Sequence, residues 1–367
     1  MNNMNELKAR LSQAGIPLNE PTSSAQLQTP WFVRALQAFS GWLAALFLLG
    51  FIAMGVVFMV ESPAASLGLG LAMIGAACAL LRSARSDVLE HLALAVSLAG
   101  QLLVAWAAIE FWSESAYSLW SLLGWSLFGL QAVLALVIPS LVHRTFSAFA
   151  ASLALYMALA VSDLELVANG LVLLALTLLW LNEFRWPQRI RSVQAWGYGL
   201  LMGLLVIQGL AHSGQPFWLG VEGQQIGDGA WMALGIDLED IDPWLSAVLL
   251  ALTLVLLLYS IFHTLRSPML YWHAAIGVAV MLLISLYLPA VVQGVVVLLL
   301  GFAIGHRLLV GLGMFSLLLA MGSYYYWLDT TLLIKALTLI VIGVMLLSLR
   351  WLLRWLSPLD DKRELKP

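Results

Sequence analysis

Long apolar runs alternate with short polar breaks along most of this chain. An α-helix needs about 20 mostly apolar residues to cross a hydrocarbon core of about 30 Å. Twelve stretches meet or approach that length: residues 39–60, 64–81, 92–112, 119–138, 146–161, 166–182, 194–212, 244–263, 269–288, 289–304, 308–327 and 332–349. Runs this continuous predict helices and not barrel strands, because backbone in lipid must satisfy its own hydrogen bonds and barrel strands are short and alternating. Most connections are short, so consecutive spans are expected to be antiparallel neighbours. The predicted fold class is all-α, a polytopic transmembrane helical bundle of about twelve spans.

Two boundaries rest on proline. Glu61-Ser62-Pro63 separates the first two spans, and proline suits the first turn of a helix, where its missing N–H costs nothing. Residues 269–304 carry no Asp, Glu, Lys or Arg. As one helix they would reach roughly 54 Å at 1.5 Å per residue. The run must turn, and Pro289 is the expected place.

The placement of charge tests this count. With the N-terminus inside, the inner segments hold 16 of the 17 Lys and Arg residues, among them Arg82, Arg144, Arg189, Arg191, Arg266, Arg307 and Arg350. The outer segments and span ends hold twelve acids, including Glu61, Glu110, Asp163, Glu165, Asp242 and Asp329, and one base, Lys335. Basic residues in short loops stay cytoplasmic, so this distribution predicts both termini cytoplasmic. Most of the 16 tryptophans, Trp42, Trp112, Trp180 and Trp244 among them, fall near proposed span ends, as in an aromatic belt.

Composition narrows the class further. The chain is 62% hydrophobic and 10% charged over 367 residues, with a mean hydropathy of +0.94. Soluble domains are about a quarter charged. An ordinary soluble enzyme is excluded, and so is nucleic-acid binding, which needs a basic face. The single cysteine, Cys78, rules out a disulfide within the chain and reads as a small core residue. The polar first 30 residues lack the apolar core of a cleavable signal peptide.

Little lies outside the spans. Residues 1–30 are expected to form a cytoplasmic amphipathic helix, over 4–14, and a linker. Residues 31–356 form the transmembrane domain, and residues 357–367 a cytoplasmic tail. The substantial loop is 213–243 on the outer face, with six acids, no base and six glycines. It can dock an envelope protein partner, hold a ligand, or simply lie on the membrane surface. Its segment Asp237-Leu238-Glu239-Asp240-Ile241-Asp242 lacks the glycine and distal glutamate of a calcium-binding loop. Asp242-Pro243 reads instead as the cap and first-turn proline of the following span.

Ionisable and amide side chains inside spans are the candidates for function. Lys335 lies one turn into the last span, with Asp329 six residues earlier, and Glu110 sits near the outer end of the third span. Lys335 can snorkel to the headgroups and pair with Asp329 or Glu110, or it can face a substrate carboxylate. Gln101, Gln131, Gln208 and Gln293 lie deeper. Gln208 and Gln293 share a pattern, Ile-Gln-Gly-Leu and Val-Gln-Gly-Val, and amides at such positions can bond between helices. His212, His263 and His273 lie close to span ends, and Asn182 ends the sixth span. No phosphate-binding glycine loop, zinc-protease helix or nucleophile elbow occurs. No cofactor or metal is expected.

Residues 324–350 read YYYWLDTTLLIKALTLIVIGVMLLSLR, and residues 30–51 read PWFVRALQAFSGWLAALFLLGF. A tyrosine run, TLL-x-K, a mid-span glycine and a terminal arginine resemble the closing signature of an uncharacterised bacterial inner-membrane family, a domain of unknown function. The segment 30–51 resembles that family's opening, so the resemblance covers residues 30–355. Asp329, Leu332, Leu333 and Lys335 are the matching positions. The family usually has Lys-Ser where this chain has Lys335-Ala336, so the serine hydroxyl is not needed here. The resemblance implies a multi-pass protein of the bacterial inner membrane. It also implies a partner encoded nearby, named for a Gly-Asp-Tyr motif. It transfers no activity.

Three classes of function fit these features. The first is a non-enzymatic membrane component acting with another envelope protein. The second is a secondary transporter with a polar site at the midplane or in the outer half. The third is an integral-membrane enzyme, which would need acids, bases or metal ligands gathered at one depth.

Overall fold

The computed structural model describes residues 62–83, 87–113, 119–185, 187–212, 238–262, 268–285 and 288–327, with isolated positions between 36 and 54 and between 332 and 347. Lys335, Asp329, residues 1–30, residues 357–367 and most of the loop 213–243 lie outside the described residues.

Among the described residues the regular structure is helical, without strands. Ten α-helices follow in chain order: α1 (Pro63–Ser83), α2 (Asp87–Trp112), α3 (Leu119–Val137), α4 (Leu141–Ala160), α5 (Glu165–Leu181), α6 (Ile190–His212), α7 (Leu238–Phe262), α8 (Pro268–Ser285), α9 (Pro289–Ala303) and α10 (Arg307–Trp327). Two single 3-10 turns, Glu183–Arg185 and Pro187–Arg189, join α5 to α6. Leucine and alanine, which lose little side-chain freedom in a helix, dominate these segments.

The prolines act as breaks. α1 starts at Pro63, and the long uncharged run divides at Leu288, with Pro289 opening α9. Pro243 is the exception. α7 begins at Leu238, so Pro243 lies inside the helix and not in its first turn. Asp242 does cap a helix N-terminus, but that of α5: its carboxylate accepts from the N–H groups of Leu166 and Val167.

Among the described residues five segments are long and apolar enough to cross a membrane: Pro63–Ser83, Leu89–Trp112, Leu119–Val137, Pro187–Leu210 and Ile241–Ile261. Glu165–Leu181, Pro289–Ala303 and Arg307–Gly322 are shorter apolar helices. Large apolar side chains stay open on the surface, such as Leu102, Leu136 and Leu318, each more than 60% exposed. Exposed apolar area on this scale is foreign to a soluble monomer and suits a lipid solvent.

The tightest packing is between sequence neighbours, α1 with α2, α3 with α4 and α9 with α10, while α4 with α6 and α5 with α7 tie the chain across longer separations. Small residues make these approaches close. A Cβ on Gly70 would fall 2.7 Å from the Gly100 carbonyl oxygen, and one on Gly100 would fall 2.6 Å from that of Gly70. With both as glycine, α1 and α2 come together backbone to backbone, the means by which helices associate in lipid. The main core gathers Leu173, Leu176, Leu204, Ile207, Leu254 and Val296 from α5, α6, α7 and α9. A smaller core, Ile74, Cys78, Leu134 and Ile138, joins α1 to α3 and holds the one cysteine in apolar surroundings.

Candidate functional site

The buried amide side chains come together in two pairs. Gln131 on α3 donates from Nε2 to Gln101 Oε1 on α2 at 2.8 Å. Gln293 on α9 donates from Nε2 to Gln208 Oε1 on α6 at 3.4 Å. Each glutamine is at least 94% buried. An amide in such a position must find partners within the protein, since none can come from lipid.

The first pair continues into a network that includes His143. Ser97 and Gln101 lie one turn apart on α2, and Gln101 Nε2 donates to Ser97 Oγ at 3.0 Å. His143 Nε2 is 2.8 Å from Ser97 Oγ and 3.2 Å from Gln101 Nε2, and its Nδ1 is 3.0 Å from Ser147 Oγ. Gln101 uses its oxygen for Gln131, so it turns its NH2 toward the imidazole. His143 Nε2 must then accept, and the ring proton sits on Nδ1, directed at Ser147. Gln131 Oε1 is buried with no hydrogen-bond partner among the described residues. Sequence reasoning passed over His143 because it lies beside Arg144 at the start of a span. The signal was there: Ser97 with Gln101, and His143 with Ser147, are two i, i+4 polar pairs on otherwise apolar helices.

The second pair borders a cavity of about 50 Å³. Gln208 also accepts from Ser316 Oγ on α10 at 2.6 Å and donates to the Ser316 carbonyl at 3.0 Å. That triangle ties α6, α9 and α10 together. The cavity lies between α5, α6, α7 and α9, and its polar wall is Asn169, Gln208, Ser246 and Gln293. Asn169 Oδ1 is buried and accepts no hydrogen bond among the described residues. Among the described residues Gln293 bonds only through Nε2, which leaves its Oε1 without a donor.

Acids gather at the end of the bundle nearest this cavity. Leu166, whose N–H is capped by Asp242 at 2.9 Å, itself lines the cavity. Glu165 is held by the Tyr156 hydroxyl of α4. Asp163 stands exposed in the preceding turn at a φ of 55°. At the other end of α5 and α6, Gln194 donates to Glu183 at 2.7 Å. Arg144 there donates to the Ile138 carbonyl at 2.7 Å and to Ser192, and lies over the Trp196 ring.

Of the residues singled out from sequence, Gln208 and Gln293 are brought together at the cavity. Glu110 is exposed in the last turn of α2, away from both networks. Asn182 caps the end of α5, bonding to the Leu178 carbonyl at 2.8 Å. The side chains of His212, His263 and His273 lie outside the described residues. Trp180 departs from the aromatic-belt expectation. It is 1% exposed and packs edge-on to Tyr198 and against His306. Among the described residues no three His, Cys, Asp or Glu side chains are placed to hold a metal ion.

A family model described as a domain of unknown function (DUF4401) matches residues 30–355. No curated protein and no solved structure matches the chain significantly.

Proposed function

This chain belongs to the DUF4401 family, and we propose that it is a bacterial inner-membrane protein of twelve spans with both termini cytoplasmic, acting as a non-enzymatic component alongside another envelope protein. Support for the topology comes from the segregation of charge in the sequence and from the five long apolar helices and three shorter ones among the described residues. The partner would dock on the outer-face segment 213–243.

The observation that carries the docking part is the clamp at the base of that segment. Asp242 is 6% exposed, and both carboxylate oxygens accept from the first turn of α5 at 2.9 Å. α5 supplies much of the main core. The base of the acidic segment is therefore tied to a helix that contributes to the main core, which suits a surface that must bear load from a second protein. The Gly-Asp-Tyr-motif protein implied by the family resemblance is the partner to try. Co-purification of that protein with the intact chain, and its loss with a chain in which 213–237 is replaced by a short glycine-serine linker, is the expected result. Equal recovery with both chains would overturn the docking assignment.

A second reading, a secondary transporter, is favoured by the polar cavity at Asn169, Gln208 and Gln293. Solute flux in proteoliposomes that is lost on Gln293→Leu would support it over the first.

A further inference from the structure

The cavity between α5, α6, α7 and α9 has a chemistry that selects its occupant. Its volume of about 50 Å³ accommodates a few water-sized bodies, at about 10–15 Å³ each. An organic metabolite needs a pocket of about 300 Å³ or more. The occupant is therefore of ionic or water size.

Its wall offers neutral oxygens that lack hydrogen-bond donors. Asn169 Oδ1 is buried and has no donor among the described residues. Gln293 is 95% buried, and its Oε1 has no donor among the described residues while its Nε2 is engaged with Gln208 and the Leu204 carbonyl. Ser246 adds a hydroxyl. Unsatisfied acceptors in an apolar setting are costly, and a cation or an N–H donor relieves that cost.

The approach to the cavity favours positive charge. Glu165 lies one turn before Asn169 on α5, and Asp242 lies one turn before Ser246 on α7. Two helices that pack together thus each present a carboxylate followed, four residues deeper, by a neutral oxygen. α5, α7 and α9 carry no Lys, Arg or His; α6 carries Arg191, seventeen positions before Gln208, and His212, four positions after it. Carboxylates with no Lys or Arg on the adjoining helix ends concentrate cations at this end of the bundle.

The wall itself has no carboxylate. Calcium and magnesium call for carboxylate ligands, whereas amide and hydroxyl oxygens can replace the hydration shell of a monovalent ion. We propose that Asn169, Ser246 and Gln293 form a binding site for one monovalent cation, sodium, potassium or ammonium, which enters past Glu165 and Asp242. This site is independent of the docking reading of segment 213–243.

The test uses the purified full-length chain in detergent, melted in sodium, potassium, ammonium or N-methylglucamine chloride at constant ionic strength. A saturable rise in melting temperature of several degrees with at least one of the three small cations, relative to N-methylglucamine, is expected. Asn169→Leu and Gln293→Leu should each raise the half-saturating concentration about tenfold or more. Which cation acts separates an alkali-metal site from an ammonium site. Identical melting in all four salts overturns the proposal, as does a shift retained unchanged in both variants or produced only by calcium or magnesium. If the variants do not fold, saturation and mutual displacement of the cations on the unaltered chain decide. Additive effects without displacement would also overturn a single shared site.

Discussion

Gln131 on α3 donates to Gln101 on α2 at 2.8 Å, across thirty residues of chain, and with the Trp112 indole donating to Ser126 at 3.3 Å it links α2 to a neighbour it otherwise touches sparingly. Gln101 passes the link on to Ser97 and His143. Gln101→Leu removes the centre of the network, strands the Gln131 amide and leaves His143 Nε2 with Ser97 alone. Interhelical hydrogen bonds in lipid contribute about 0.6 kcal/mol on average, but a buried polar group left alone costs about 1–3 kcal/mol. The expected loss is about 1–3 kcal/mol by unfolding in detergent, with Gln101→Leu plus Gln131→Leu less harmful than the sum of the single changes. Strict additivity would refute the network.

The Asp242 clamp can be tested separately. Asp242→Ala leaves the Leu166 and Val167 N–H groups without their acceptor and opens the base of segment 213–243. A loss of about 1–3 kcal/mol is expected. Asp242→Asn keeps one acceptor oxygen and should fall between the two. Limited proteolysis within 213–237 should quicken in the order native, Asn, Ala. Unchanged cleavage would mean that the clamp does not steady the segment.

The Gly70–Gly100 approach predicts a size limit. Gly70→Leu or Gly100→Leu would drive a side chain into facing backbone and separate α1 from α2. Gly68→Ala and Gly75→Ala, where a Cβ meets nothing within 4 Å, are the matched controls. Overpacking typically costs about 1–3 kcal/mol. The first two variants should lose thermal stability and the controls should not. Tolerance of a leucine at either crossing position would contradict this packing.

The proposed orientation can be measured in cells. In a Cys78→Ala background, Ser113→Cys and Ser83→Cys place one exposed thiol each at the ends of α2 and α1. A membrane-impermeant maleimide added outside should label Cys at 113 and spare Cys at 83 until the membrane is opened. The reverse pattern would invert the topology.

Chain order and chain chemistry settled the fold class. Apolar runs of about 20 residues have no stable alternative to the helix in lipid, so helices at 63–83, 119–137 and 190–212 could be read from the sequence, as could the break at Pro289. The network partners could not. Residues facing lipid and residues facing neighbouring helices are both apolar, so the one-dimensional pattern does not reveal which side of a helix meets which neighbour. The four buried glutamines were visible as candidates, but their pairing as 101 with 131 and 208 with 293 follows from crossings between helices far apart in sequence. For the same reason Asp242 reads as the cap of its own helix and in fact caps α5, and Trp180 reads as a belt residue and in fact fills the core against Tyr198 and His306. Run length and composition were enough to read an all-helical chain suited to an apolar solvent, because neither depends on which helices meet. The tertiary structure alone decided which polar atoms found partners and which, at Asn169 and Gln293, did not, because satisfaction of a buried group depends on what lies across the helix interface from it.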